Sequence, residues 1–89
     1  MVRVNFTPNL ERHLGVRALE VEAMTLREAF DAVFTRVQGA RSYVLDDQGA
    51  VRHHVAIFVD GALVHDRTRL AHPLEPDSEI WIMQALSGG

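Results

Sequence analysis

The chain has 89 residues, 47% of them apolar, and a formal net charge of −3 from twelve acidic residues against nine arginines. A chain this short supports one small hydrophobic core and spares few side chains for a deep catalytic pocket, which points to a binding or carrier role rather than an enzyme. Cysteine and lysine are both absent, which excludes disulfides, thiolate metal sites, a cysteine nucleophile, Schiff-base chemistry and self-linkage through a lysine side chain.

The acidic balance and the lack of a basic stripe argue against a nucleic-acid partner. No run approaches the roughly 20 apolar residues that a membrane span requires. The opening Met1-Val2-Arg3-Val4-Asn5-Phe6 alternates instead of forming the apolar core of a signal peptide, so a soluble cytoplasmic protein without membrane contact is expected.

Val2, Val4 and Phe6 alternate with Arg3 and Asn5, the period-2 pattern of a strand with one buried face. Thr7-Pro8-Asn9 ends that strand, and a polar connection through Gly15 leads to a second one over 18–22, a hairpin partner for the first. Thr25-Leu26-Arg27-Glu28 has the form of a capping box. Leu26, Ala29, Phe30, Val33, Phe34 and Val37 follow at helical spacing, with Gly39 as the stop. Tyr43-Val44-Leu45 and Ala50-Val51-Arg52 read as short strands flanking the turn Asp46-Asp47-Gln48-Gly49. Val55 to Val59 is β-branched and aromatic enough for a central strand. Asp60-Gly61 turns it toward a short return at Leu63-Val64. Pro73 and Pro76 bracket a loop, Glu79 to Gln84 makes the last strand, and Ala85 to Gly89 reads as a flexible tail. The expected domain is therefore 1–84, with a tail over 85–89.

This order predicts an α+β fold: a mixed sheet of four to five strands with one helix packed across one face. The helix connection lets the first and last strands lie parallel and adjacent. If Ile80 and Ile82 face the helix, Trp81 and Met83 face away; by the same alternation Ile57 and Val59 point in and Phe58 points out. Phe58, Trp81 and Met83 are thus expected to form one exposed apolar patch suited to a protein partner.

Three stretches carry a family resemblance: Val55-Ala56-Ile57-Phe58-Val59-Asp60-Gly61, Leu74 through Ile82, and the ending Leu86-Ser87-Gly88-Gly89. On these the chain resembles, over nearly its whole length, the MoaD/ThiS-type ubiquitin-like sulfur carriers of β-grasp fold, which include the molybdopterin synthase small subunit and the thiamin sulfur carrier. Two features depart from that pattern. Pro76-Asp77-Ser78-Glu79 lacks the usual glycine, and Met83-Gln84-Ala85 lacks the proline often found before the tail.

The resemblance implies a carrier rather than an enzyme, one that also serves as the small subunit of a synthase in part of the family. The Gly89 carboxylate is adenylated by an E1-like enzyme using ATP. A sulfur donor then converts it to a thiocarboxylate, and an acceptor enzyme or large synthase subunit takes the sulfur. The implied acceptor pathways are molybdopterin, thiazole, cysteine or a secondary metabolite. Val51-Arg52-His53-His54 resembles the longer molybdopterin-type and cysteine-type carriers more than the shorter thiamin one, and the molybdopterin type is the favoured expectation. No bound cofactor is expected.

The chemistry of the ending is intelligible without the resemblance. A free carboxylate is a poor electrophile and must be activated. The resulting mixed anhydride must be kept from water in a narrow channel, and residues without a Cβ, such as Gly88 and Gly89, thread such a channel freely. Leu86 and Ser87 would be gripped just outside it. A protein modifier attached through Gly89 to lysines of other proteins, and a β-grasp interaction module with an inert tail, are the rival readings. His13, His53, His54, His65 and His72 are expected as solvated surface residues, since adjacent His53 and His54 point to opposite faces of a strand and no ligand spacing recurs. Asp46 and Asp47 read as turn formers, and no nucleophile–base or metal constellation can be assembled.

Overall fold

A computed structural model gives the arrangement of residues 1–84. Five strands, β1 (Val2–Phe6), β2 (Ala18–Val21), β3 (Val55–Val59), β4 (Ala62–Leu63) and β5 (Glu79–Gln84), form one mixed sheet in the order β2-β1-β5-β3-β4. β1 pairs parallel with β5, Val4 opposite Ile80 and Phe6 opposite Ile82. β5 pairs antiparallel with β3, Ile57 opposite Ile82 and Phe58 opposite Trp81. The last strand of the chain is thus the central strand, as the crossover expectation requires. The expected tail, Ala85 to Gly89, lies outside the described residues.

The helix expected after the first hairpin is α2 (Leu26–Arg36). Thr25 Oγ1 accepts from the Glu28 amide at 3.3 Å, and Glu28 Oε1 accepts from the Met24 amide at 2.8 Å, so the capping box closes one residue further back than the minimal form. Leu26, Ala29, Phe30 and Val33 are buried against the inner face of the sheet, where Val2, Val4, Val55, Ile57, Ile80 and Ile82 complete the core. Burial of this order contributes roughly 1.5–3 kcal/mol per large aliphatic or aromatic side chain.

Two short helices join α2, where the sequence predicts one helix alone. The connection after β1 is α1 (Pro8–Leu14). Pro8 occupies its first turn, where no amide partner is lost, and Gly15 ends it at φ 76°, its amide donating to the Glu11 carbonyl at 2.8 Å. Only Leu10 of this helix is fully buried, so no hydrophobic period marks it. The second addition is α3 (Ala40–Val44), which replaces the expected strand Tyr43-Val44-Leu45. Ala40 and Val44, one turn apart, are both buried, and a three-residue apolar run does not distinguish the two periodicities.

The Asp46–Gly49 turn forms as expected: the Asp46 amide donates to the Ala50 carbonyl, and Asp46 Oδ1 accepts from the Gln48 and Ala50 amides. The hairpin around it is reduced to a single bridge, Leu45 with Val51. The return strand is Ala62–Leu63, one residue earlier than expected. Asp60 (φ 50°) and Gly61 (φ 86°) both adopt the left-handed conformation of a two-residue turn, which places Leu63 opposite Phe58. In the glycine-free turn before β5, Ser78 is buried, and its Oγ accepts from the Glu75 amide at 2.8 Å and donates to Asp60 Oδ2 at 2.9 Å.

The loop between β4 and β5 folds around one carboxylate. Asp66 accepts from the amides of Thr68, Arg69 and Ala71, and Arg27 on α2 donates to the carbonyls of Thr68 and Arg69. This holds buried Leu70 in a left-handed conformation (φ 56°) that a branched aliphatic residue seldom adopts. The Ala71 and Arg69 amides lower the Asp66 pKa from its ordinary 3.8 to about 2. The folded carboxyl is therefore the stronger acid, and its contribution to stability is present above about pH 4 and lost as pH falls from there to about 2. The Asp66→Asn chain should be less stable than the wild type at neutral pH, the gap closing as pH falls toward 2; urea midpoints across that range are the check.

Candidate functional site

The sheet has one covered face and one open face, and the open face of β5 carries Trp81 and Met83. Trp81 sits directly opposite Phe58 of β3, and Met83 opposite Ala56. Phe58, Trp81 and Met83 with Gly61 line one shallow apolar depression of about 300 Å³. Trp81 is 38% exposed, and Phe58 and Met83 are half-buried. Leu63, at 45% exposure, extends the apolar row to the sheet edge through its pairing with Phe58. The sequence reading placed Leu63 in the return strand but not in the patch; the register after the Asp60-Gly61 turn, with Leu63 opposite Phe58, brings it there.

On the other flank of Trp81 the surface is mixed. A depression of about 440 Å³ is lined by Arg3, Asn5, Glu11, Arg17 and Glu79 together with Phe6 and Pro8 beside the indole. Asn5, opposite Trp81 on β1, is buried and satisfied: its amide donates to the Ile80 carbonyl at 3.2 Å and its oxygen accepts from Arg3 Nε at 3.0 Å. Trp81 therefore stands as a ridge between an apolar slot and one that mixes apolar and charged side chains. Amphipathic aromatic side chains in such positions are the usual anchors of protein interfaces.

From Trp81 the same strand runs through Met83 to Gln84. Gln84 is opposite Val55, and its side-chain oxygen accepts from Asn9 Nδ2 on α1. Gly89, Gly88, Ser87 and Leu86, the residues expected to carry the carboxylate chemistry, lie outside the described residues. Two of the histidines expected as solvated surface residues, His13 and His54, pack against one tyrosine. The His13 ring lies 5.2 Å from that of Tyr43, and Tyr43 lies 6.2 Å edge-on from His54, so α1, α3 and the approach to β3 meet in one aromatic cluster. The sequence hides it because the three residues lie far apart and two of their carriers are the short helices. Among the described residues no group of three or more histidines, aspartates or glutamates is placed to hold a metal ion, and no helix is long and apolar enough to cross a membrane.

Alternate residues of β5 should separate stability from surface. Ile80 is fully buried, so Ile80→Ala should cost about 2–5 kcal/mol, whereas Trp81→Ala should cost clearly less; urea unfolding of the two variants measures the difference.

The ThiS family model matches residues 7–89. Among solved structures, the chain is similar to SAMP1 from Haloferax volcanii, with a TM-score of 0.83 and 21% identity over 99% of this chain and 98% of that one. It is equally similar to a chain of the Amycolatopsis orientalis BexX/CysO complex, with a TM-score of 0.84 and 21% identity over 100% of both. CysO from Mycobacterium tuberculosis gives a TM-score of 0.83 at 20% identity, over 97% of this chain and 100% of that one. At these identities the likeness is one of fold, a ubiquitin-like β-grasp. A comparison with curated protein sequences gives no match. With a family match that spans nearly all of the chain and reaches its last residue, the chain belongs to the ThiS family.

Proposed function

We propose that the protein is a ubiquitin-like sulfur carrier whose working group is the carboxylate of Gly89. The observation that carries this reading is the family match extending through residue 89, joined to a central strand that leads from an exposed aromatic patch to Gln84, five residues short of Gly88-Gly89's end. The patch around Trp81 docks an E1-like adenylating enzyme, and the glycines enter its channel.

Adenylation joins the carboxylate oxygen to the α-phosphorus of ATP and releases pyrophosphate. Hydrosulfide sulfur then attacks the carbonyl carbon, AMP departs with the bonding pair, and a thiocarboxylate remains after the proton passes to solvent. A persulfide donor delivers the same sulfur through an acyl disulfide, which a second thiol reduces. The thiocarboxylate is a nucleophile that an acceptor enzyme, or the large subunit of a synthase, uses to place sulfur in a small molecule. Molybdopterin, cysteine and thiazole formation are the acceptor chemistries of this class that the sequence resemblance implies, and the cytoplasm is the compartment that suits them. The protein itself holds no cofactor in this scheme; adenylate and thiocarboxylate are its covalent states.

A second reading, attachment of Gly89 to lysines of other proteins, draws support from the similarity to chains described as small archaeal modifier proteins. Lysine is absent from this sequence, so such attachment would give single additions rather than lysine-linked chains.

Activation by the host's adenylating enzyme should be lost on deleting Gly89 and strongly reduced by Gly88→Val, with urea midpoints unchanged; ATP–pyrophosphate exchange is the readout. Full exchange with the Gly89-deleted chain would refute the role of that carboxylate.

A further inference from the structure

The sheet ends in two edge strands, β2 and β4, and the two edges are finished differently. On the β2 side the Phe6 amide donates to the Arg17 carbonyl at 2.9 Å, and Val4 lies opposite Leu19. Alternation then turns the main-chain groups of Ala18 and Glu20 away from β1. The outward Glu20 carbonyl is already occupied, because it accepts from Arg36 Nη1 at the end of α2 at 2.8 Å. A charged side chain laid on an edge in this way keeps another strand from pairing there.

The β4 edge has no such guard. Val59 lies opposite Ala62 across the turn, and the Val64 amide donates to the Ile57 carbonyl at 2.8 Å. Leu63, between these two positions, therefore turns its own N–H and C=O outward, and the alternation brings those of His65 to the same side. The stretch Gly61-Ala62-Leu63-Val64-His65 contains no carboxylate, arginine or proline. Ala62, Leu63 and His65 are exposed, while Val64 is buried. The two charged residues that follow are turned into their own loop. Asp66 accepts from the amides of Thr68, Arg69 and Ala71, and Arg67 donates to the carbonyls of Val51, Arg52 and Val55. An uncharged, apolar edge with open main-chain groups is a template for a further strand.

We propose that this edge pairs with the same edge of a second copy of the chain, antiparallel and centred on Val64. Leu63 of each copy then lies opposite His65 of the other, and the outward groups of both residues are satisfied at once. The edge is its own complement under a two-fold axis, which is the requirement for an isologous dimer. The apolar patch also runs to this edge, since Leu63 shares the open face with Phe58, its register partner. Pairing joins the Trp81–Phe58–Leu63 rows of the two copies into one band. Three residues a side bury less than the roughly 1,200 Å² of a stable complex, so the pair is reversible and forms at high concentration.

The geometry leaves both chain ends clear. β4 and β5 are each antiparallel to β3 and so parallel to one another. The two-fold axis sets the two β5 strands antiparallel, five strand spacings or about 24 Å apart. The two Gln84 residues thus leave the joined sheet in opposite directions, and a docking protein meets a doubled apolar band. This pairing holds whether or not Gly89 carries sulfur.

Sedimentation equilibrium of the full chain between about 10 µM and 1 mM is the test. The apparent mass should rise from the 10.0 kDa of one chain toward twice that value, and the Leu63 and His65 amides should gain protection from hydrogen exchange over the same range. Leu63→Lys, which sets two ammonium groups beside the axis, should hold the mass at one chain, whereas Trp81→Ala should still pair. A chain that keeps its single mass to 1 mM would overturn the proposal. Loss of pairing in Trp81→Ala, or pairing that survives Leu63→Lys, would overturn it in favour of association through the open face. Protection of Leu63 and His65 that appears only when the adenylating enzyme is added would assign the edge to that enzyme and overturn it equally.

Discussion

The structure depends on the placement of its last strand in the middle of its sheet. β5 is hydrogen-bonded along both edges, parallel to β1 and antiparallel to β3, and Ile80 and Ile82 on its inner face are fully buried. Chain ends are ordinarily the least constrained part of a small domain. Here the final described residues are among the most constrained, because the core cannot close without them. Gln84 is consequently a fixed point, and a chemical group carried on the residues after it starts from a defined position on the surface.

The same placement shapes the surfaces around that point. Alternation along β5 buries Ile80 and Ile82 and turns Trp81 and Met83 outward, so the strand that seals the core also builds the apolar patch with Phe58 and Leu63. At its end it meets α1, whose Asn9 donates to Gln84, and the His13–Tyr43–His54 cluster ties α1 to α3 and the approach to β3. The apolar patch and the aromatic cluster are thus both positioned by one strand.

Much of this was legible in the sequence, and the exceptions have physical causes. β1, β3, β5 and α2 declare themselves through unbroken periodicity over five or more residues, and the parallel β1–β5 pairing follows from the crossover. The outward direction of Phe58, Trp81 and Met83 follows from alternation alone. α1 and α3 were missed because a helix of seven or five residues that buries one or two side chains leaves too short a period to detect; Pro8 and Gly15 bounded α1 plainly but were read as breaks. The His13–Tyr43–His54 cluster was illegible for the same reason, since it exists only when both short helices are in place. The part Ser78 plays in the turn before β5 was equally hidden, because it depends on Asp60, eighteen positions away and brought near by the β3–β5 pairing.

The most direct measurement is the intact mass of the protein purified gently from its native host. The carrier reading requires a fraction of the chains to be heavier by one oxygen-to-sulfur exchange, with the change located at Gly89 and absent when Gly89 is deleted. Protein that stays unmodified even after incubation with ATP, sulfide and the host's adenylating enzyme would contradict it.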